Sequence, residues 1–245
     1  MAVAISPEEL LRRAMNAKDA ESRQRLARKG LATRAPLDRT TNAMLLRQLY
    51  LALFETRRFD EARRIAESAI ELQVLRDVMH HDAARAAAAA GDLDDALTHL
   101  RAAARRAPAS RRALHWWTLG SLAFHAQRYD EAAGALERAM RWATNDRPLY
   151  RAQLALVCIA AGEPPRDLQP TIDALAAAPC GQGYGRFVLG HLAYAAHEFR
   201  AARQYLRAFV VRTEKLVPPA MIALEPELGM SKATLGKIAS EMADD

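Results

Sequence analysis

The sequence predicts an all-α chain built from one helical unit repeated along its length. Three observations carry that reading. A small-large-small pattern recurs about every 34 to 36 residues, and a fixed period of that size marks a repeated supersecondary unit. Apolar residues make up 51% of the chain and only 11 of its 245 residues are glycine, a composition suited to a helical core. No segment alternates at period two for long enough to make a convincing strand. The clearest copy of the pattern reads Trp116, Leu119 and Gly120, then Tyr129, Ala132, Leu136 and Ala139. Aligned on the aromatic position before the second helix, Phe59, Leu93, Tyr129 and Phe199 fall into register. Each is followed three residues later by alanine, at Ala62, Ala96, Ala132 and Ala202.

This pattern resembles the tetratricopeptide repeat, and the resemblance runs over nearly the whole chain. It implies a right-handed α-solenoid of five to six helix-turn-helix repeats with a C-terminal capping helix, read as a single domain over residues 1–245. Residues 1–42 form an atypical N-terminal capping repeat, 43–213 five repeats, and 214–245 the C-terminal cap. The five repeats begin near 43, 77, 113, 148 and 183, at spacings of 34, 36, 35 and 35 residues. Each unit has too little core to stand alone, so burial comes from stacking on its neighbours.

Taken in order, the chain opens on Ser6, an N-cap followed by Pro7 at the first helical position and by Glu8 and Glu9. This first unit runs to Pro36. In the repeats that follow, Ala84, Gly120, Ala155 and Gly190 mark the narrow point of the first helix (helix A). The alanines at 62, 96, 132 and 202 face it from the second (helix B). Leu49, Leu119, Leu154 and Leu189 fill the neighbouring gap, and Leu100, Leu136 and Leu206 reach the next repeat. Asp60-Glu61, Asp94-Asp95 and Asp130-Glu131 fall in the first turn of each helix B, where acids complement the helix dipole by about 0.3–1 kcal/mol each. Pro108 and Pro179 stop helices at repeat ends. The fifth unit is degenerate, with Pro164 and Pro165 replacing the aromatic and Asp167 the alanine. Gly181-Gln182-Gly183-Tyr184-Gly185 reads as a flexible junction. Past Val211 the pattern ends; Pro218 and Pro219 break the chain, and Ser231 caps a last helix through about Met242, with Leu235, Ile238 and Met242 on its apolar side.

Composition and motifs speak against several kinds of chemistry. Net charge is +6, with 30 arginines against 5 lysines, a skew that beside heavy alanine use reads as a GC-rich genome. Basic clusters at Arg23, Arg25, Arg28 and Lys29, and at Arg105, Arg106, Arg111 and Arg112, lack the interleaved aromatics of a nucleic-acid face and read as solvated surfaces. The N-terminus has no secretory pattern, no apolar run is long enough to span a membrane, and Cys158 and Cys180 stand apart from any CxxC spacing. Cytoplasmic location is the expectation. His80, His81 and Asp82 are consecutive on a helix and point in different directions. His197-Glu198 begins like a zinc-protease helix, but Ala201 stands where a second histidine is needed. His191 and His197 lie on different helix faces. The glycine run is not GxGxxG, because position 186 is arginine. No serine or cysteine has an arguable base, so no catalytic residue, metal site or cofactor is expected.

An alternative sits at the C-terminus. Leu228 to Leu235 resembles the turn and recognition-helix start of a helix-turn-helix DNA reader, which would make the chain a DNA-associated transcriptional regulator. That family needs alanine four residues before the glycine and a continuous preceding helix; here position 225 is glutamate and Pro226 follows it.

The principal functional expectation is a non-enzymatic adaptor that binds another protein. The resemblance implies that helix A lines a concave groove. Its inward positions are Met44, Arg47, Leu51 and Phe54 in one repeat, and His81 and Arg85 in the next. Trp117, Ser121 and Phe124 follow, then Leu156, then Tyr184, Phe187, His191 and Tyr194. Because Trp116 fills the family's structural tryptophan position, Trp117 has no core duty under this register and becomes a candidate anchor. The best-known groove of the family grips a chaperone's C-terminal carboxylate with lysine, arginine and asparagine. Here Leu51, Arg85, Ser121 and Leu156 stand where the first clamp asparagine belongs, so that clamp is not expected. An apolar and aromatic surface with Arg47, Arg85 and His81 at one end suits an amphipathic helix or extended peptide with an acidic end.

Overall fold

In the computed structural model, which describes residues 5–34 and 36–243, all regular structure among the described residues is helical. The chain divides into two compact units, Met1–Ala107 and Pro108–Asp245. The first holds α1 (Pro7–Met15), α2 (Ala20–Leu31), α3 (Arg39–Glu55), α4 (Phe59–Glu71), α5 (Arg76–Ala89) and α6 (Leu93–Arg106). Each packs on its sequence neighbour, and α3 touches both α1 and α5. The second holds α7 (Ala109–His125), α8 (Tyr129–Trp142), α9 (Arg147–Ala160), α10 (Gln169–Ala177), a 3-10 turn at Pro179–Gly181, α11 (Gly185–Ala195), α12 (Phe199–Thr213), α13 (Pro218–Ile222) and α14 (Glu225–Glu241). None of these helices is long and apolar enough to cross a membrane.

Helix starts follow the capping chemistry. Ser6 Oγ accepts the Glu9 amide at 3.3 Å with Pro7 behind it. Asp38 accepts the Thr40 and Thr41 amides, so α3 begins four residues before the expected repeat start at 43. Pro108 stands between α6 and α7 as the N-cap of the latter. The turns between helices A and B share one geometry. Arg57, Gly91, Gln127, Gly162 and His197 are all left-handed, with φ of 59°, 89°, 58°, 84° and 59°. The next amide in each turn donates five residues back, as in Arg58 to Leu53 at 2.9 Å and Glu198 to Ala193 at 2.8 Å, which satisfies the helix C-terminus. His197 is therefore an exposed turn residue rather than the opening of a metal helix.

The small-residue rule has a direct steric basis. A Cβ on Gly120 would sit 2.8 Å from Leu136 Cγ and 3.2 Å from the Ala132 carbonyl oxygen. On Gly190 it would come within 2.5 Å of Leu206 Cγ and Cδ2. These are the α7–α8 and α11–α12 contacts, and the facing alanines 62, 96, 132 and 202 are fully buried. Gly120→Leu is expected to overpack its contact and lower the stability of the second unit by about 1–3 kcal/mol in urea denaturation; an unchanged midpoint would contradict the helix pairing.

Two expectations near the C-terminus are corrected. Ser231 does not cap a helix: α14 begins at Glu225 with Pro226 in its first turn, where a missing amide costs nothing, and Ser231 lies buried in its middle. Leu228 to Leu235 is thus continuous helix, and the turn that a helix-turn-helix reader requires at Gly229 is absent. The predicted apolar side survives, since Ile238, Leu235 and Met242 pack with Ala193, Ala202 and Leu206. The glycine run before α11 is also no flexible junction. A Cβ on Gly181 would meet the Leu175 carbonyl oxygen at 2.1 Å and one on Gly185 the Cys180 carbonyl oxygen at 2.2 Å, so the segment is tightly packed backbone.

Candidate functional site

In the first unit, α3 and α5 carry the expected inward residues. Met44, Leu51 and His81 are half-buried. Phe54 is only 1% exposed, so it belongs to the core and offers a partner no surface. Arg47 Nε donates to Asp82 Oδ2 at 2.8 Å, and the Asp82 side chain is buried. Burial pushes the Asp82 carboxyl up, against the pull of Arg47 and then Arg85. Arg85 lies 4.8 Å over the Phe54 ring. The two cations expected to await an acidic partner are therefore engaged inside the fold, Arg47 by the buried carboxylate of Asp82, which the sequence reading weighed only as part of a histidine run.

In the second unit the expected residues converge on one polar network. Trp117 Nε1 donates to Gln153 Oε1 at 2.6 Å. Gln153, fully buried on α9, donates through Nε2 to Ser121 Oγ at 2.8 Å and to the Tyr184 hydroxyl at 3.4 Å. The Tyr184 hydroxyl in turn donates to Glu227 Oε1 at 3.1 Å, and His125 Nε2 lies 3.2 Å from the same oxygen. Enclosure and the Glu227 charge hold the Tyr184 hydroxyl well above its ordinary range. Trp117 meets Tyr184 edge-on at 4.9 Å and stacks on Tyr150 at 6.1 Å. The indole does have a structural duty, contrary to the sequence reading.

Several other expected groove residues are also withdrawn from the surface. Phe187 is fully buried among Tyr184, His191 and Phe209; Phe124, Leu156 and Ser121 are buried too. Tyr194 packs on Phe199 and on the cluster that holds α14. His191 is 4% exposed, and burial, then the charge of His125, hold its pKa down at about 4. An unfolded histidine takes up its proton near 6.5, so below that pH the unfolded chain binds more protons than the folded one. The stability His191 confers is whole above pH 6.5 and lost as pH falls toward 4. The expected loss between pH 7 and pH 5 is about 2 kcal/mol. His191→Gln should remove that part of the slope in denaturation curves taken at both pH values; an identical slope would locate the proton uptake elsewhere.

Gln153, Glu227, His125 and Asp82 carry much of this geometry; Asp82 and Gln153 share one helix-A position of the repeat register, whereas Glu227 and His125 have no repeat position that singles them out. Elsewhere His80 and His99 approach through their Nδ1 atoms at 3.1 Å, while Asp82 turns to Arg47, so the consecutive histidine-aspartate run does diverge. Glu67, Asp95 and His99 lie close enough to share an ion. Arg63 fills the electrostatic role there, reaching Glu67 at 3.0 Å and Asp95 at 3.1 Å.

Comparison with known proteins agrees with this architecture. The tetratricopeptide repeat family model matches residues 81–148. A chain of the APC/C hetero-tetramer Cut9–Hcn1 superposes with a TM-score of 0.57 at 18% identity over 95% of this chain, which spans 48% of that one. PilF of Pseudomonas aeruginosa superposes with a TM-score of 0.54 at 17% identity, over 83% of this chain and 91% of its own. No curated protein sequence matches significantly. With the left-handed A–B turns and the glycine contacts of α7–α8 and α11–α12 already in place, residues 81–148 match the tetratricopeptide repeat and the chain has the fold of a helical-repeat α-solenoid.

Proposed function

We propose that the chain is a non-enzymatic scaffold whose helix-A faces bind a partner protein, through an amphipathic helix or extended peptide with apolar anchors and an acidic end. Glu227 is the single observation that carries this reading. A carboxylate delivered by a helix is received between His125 of α7 and Tyr184 at the start of α11, beside the ring of Trp117. The surface that remains for apolar anchors is smaller than the full set of inward positions. It includes the half-buried Met44 and Leu51 in the first unit and, in the second, Leu114, 45% exposed, and the half-buried Trp117.

The test begins with proteins retained by the full chain from its native organism and ends with purified components. Leu51→Glu and Leu114→Glu place charge on the accessible parts of each unit without touching a buried group. At least one is expected to weaken a genuine partner by roughly thirtyfold, the scale of a lost anchor, with thermal melting unchanged. Wild-type affinity in both variants would reject the helix-A faces as the binding surface.

A further inference from the structure

We infer that α14 is a releasable internal occupant of the second unit, which a partner helix displaces by bringing its own carboxylate to His125 and Tyr184. This rests on the scaffold reading above and names the chemistry of its partner. The argument comes from how poorly α14 is suited to the place it fills.

A terminal helix that merely closed a hydrophobic core would bury apolar residues. The residues that α14 buries are Glu227, Ser231, Thr234 and Ile238, three polar side chains against one aliphatic. Two of these bring polar atoms without a hydrogen-bond partner among the described residues. Ser231 is 0% exposed and its Oγ is unpaired; Glu227 is 5% exposed and its Oε2 is unpaired, although Oε1 accepts from Tyr184 and lies 3.2 Å from His125 Nε2, a nitrogen that itself makes no hydrogen bond among the described residues. Leaving such groups unsatisfied costs their full desolvation. His191 Nε2, on α11 against which α14 packs, is likewise buried and unpaired. By contrast, the inner side of α12 buries Ala202, Leu206, Phe209 and Thr213.

The backbone of α14 is weak for an independent reason. Gly229 and Gly236 lie in its exposed interior, and a Cβ at either would meet nothing within 4 Å. No close approach asks for glycine there, and each loosens the helix relative to alanine. No side chain caps its N-terminus, and the ion pair of Lys232 with Glu214 at 2.7 Å is solvent-exposed. What fastens α14 is the carboxylate at one end and Ile238, with Leu235 and Met242, at the other.

That division describes the partner. It is a helix with an acidic residue near its N-terminal end and aliphatic residues four, seven and eleven positions later, where α14 has Ser231, Thr234 and Ile238. Such a helix keeps the charged contact and replaces two ill-matched polar positions with apolar ones, so it outcompetes the internal helix once the advantage of tethering is met by concentration.

Hydrogen exchange on the wild-type full chain tests release without any partner. Amides of α14 are expected to exchange about a hundredfold faster than those of α11 and α12 under native conditions, the mark of local opening. Equal protection of α14 and α12 would overturn the inference and leave the scaffold reading to its own test at Leu51 and Leu114. A labelled synthetic peptide of residues 222–243 tests the occupant. The full chain carrying Ile238→Asp, with α14 released and helicity checked by circular dichroism, should bind this peptide at least roughly tenfold more tightly than wild type, where the tethered copy competes. Glu227→Ala in the peptide should cost about tenfold, and Ser231→Ala should gain affinity. A peptide that binds both chains equally, binds neither, or is indifferent to Glu227→Ala would also overturn it.

Discussion

Arg47→Ala is expected to lower the stability of the first unit by about 3 kcal/mol, the low end of the range for orphaning a buried charge. Asp82 is almost wholly buried and Arg47 is its hydrogen-bonded counterion at 2.8 Å. Without the guanidinium, the carboxylate must stay charged in a low-dielectric site or take up a proton. Either route disfavours the folded state. Arg85 still exerts its charge on Asp82, which is why the low end applies. Removing both charges together, as Arg47→Met with Asp82→Leu, should recover most of the loss, because a buried pair is often replaceable by apolar side chains. Far-UV circular dichroism in urea gives the comparison, and a single variant within about 0.5 kcal/mol of wild type would show that the pair is not structural.

Trp117→Ala is the second large effect, about 3 kcal/mol on the second unit. Truncation removes the ring from Tyr150 and Tyr184 and leaves Gln153 Oε1, fully buried, without its donor. Trp117→Phe separates these contributions. It keeps most of the ring contact and loses the indole N–H, so it should fall between wild type and alanine by urea denaturation. A Trp117→Ala protein as stable as wild type would mean that the indole is a free anchor after all.

The repeat architecture was legible because sterics made it periodic. Gly120 and Gly190 sit where a single added carbon would meet Leu136 or Leu206, so the small residue recurs wherever the helix pair does. The first-turn acids and the Ser6 cap were legible for the same reason, being local rules with fixed offsets. The surface was less legible, because facing inward on helix A does not mean facing solvent. Phe54 and Phe187 occupy inward positions yet are sealed by neighbouring rings, and Arg47 faces inward only to meet Asp82 on the next helix A. Pairings of that kind join side chains about one repeat apart, and the residue types alone allow many such matches. Ser231 was misread because a serine before an apolar run is also what a cap looks like. Pro226, one turn earlier, was the better marker of where α14 begins.

All three tryptophans, Trp116, Trp117 and Trp142, fall after Pro108. Tryptophan emission therefore reports on the second unit alone, whereas circular dichroism sums the helices of both. Melting curves from the two signals become a built-in comparison on the unlabelled chain. Coincident curves mean one cooperative transition, and displaced midpoints assign each unit a separate stability. On the same logic Arg47→Ala, which acts before Ala107, should move the dichroism curve and leave the emission midpoint in place if the units melt separately. Trp117→Phe would dim the very signal that watches its own unit, so its stability is better followed by dichroism.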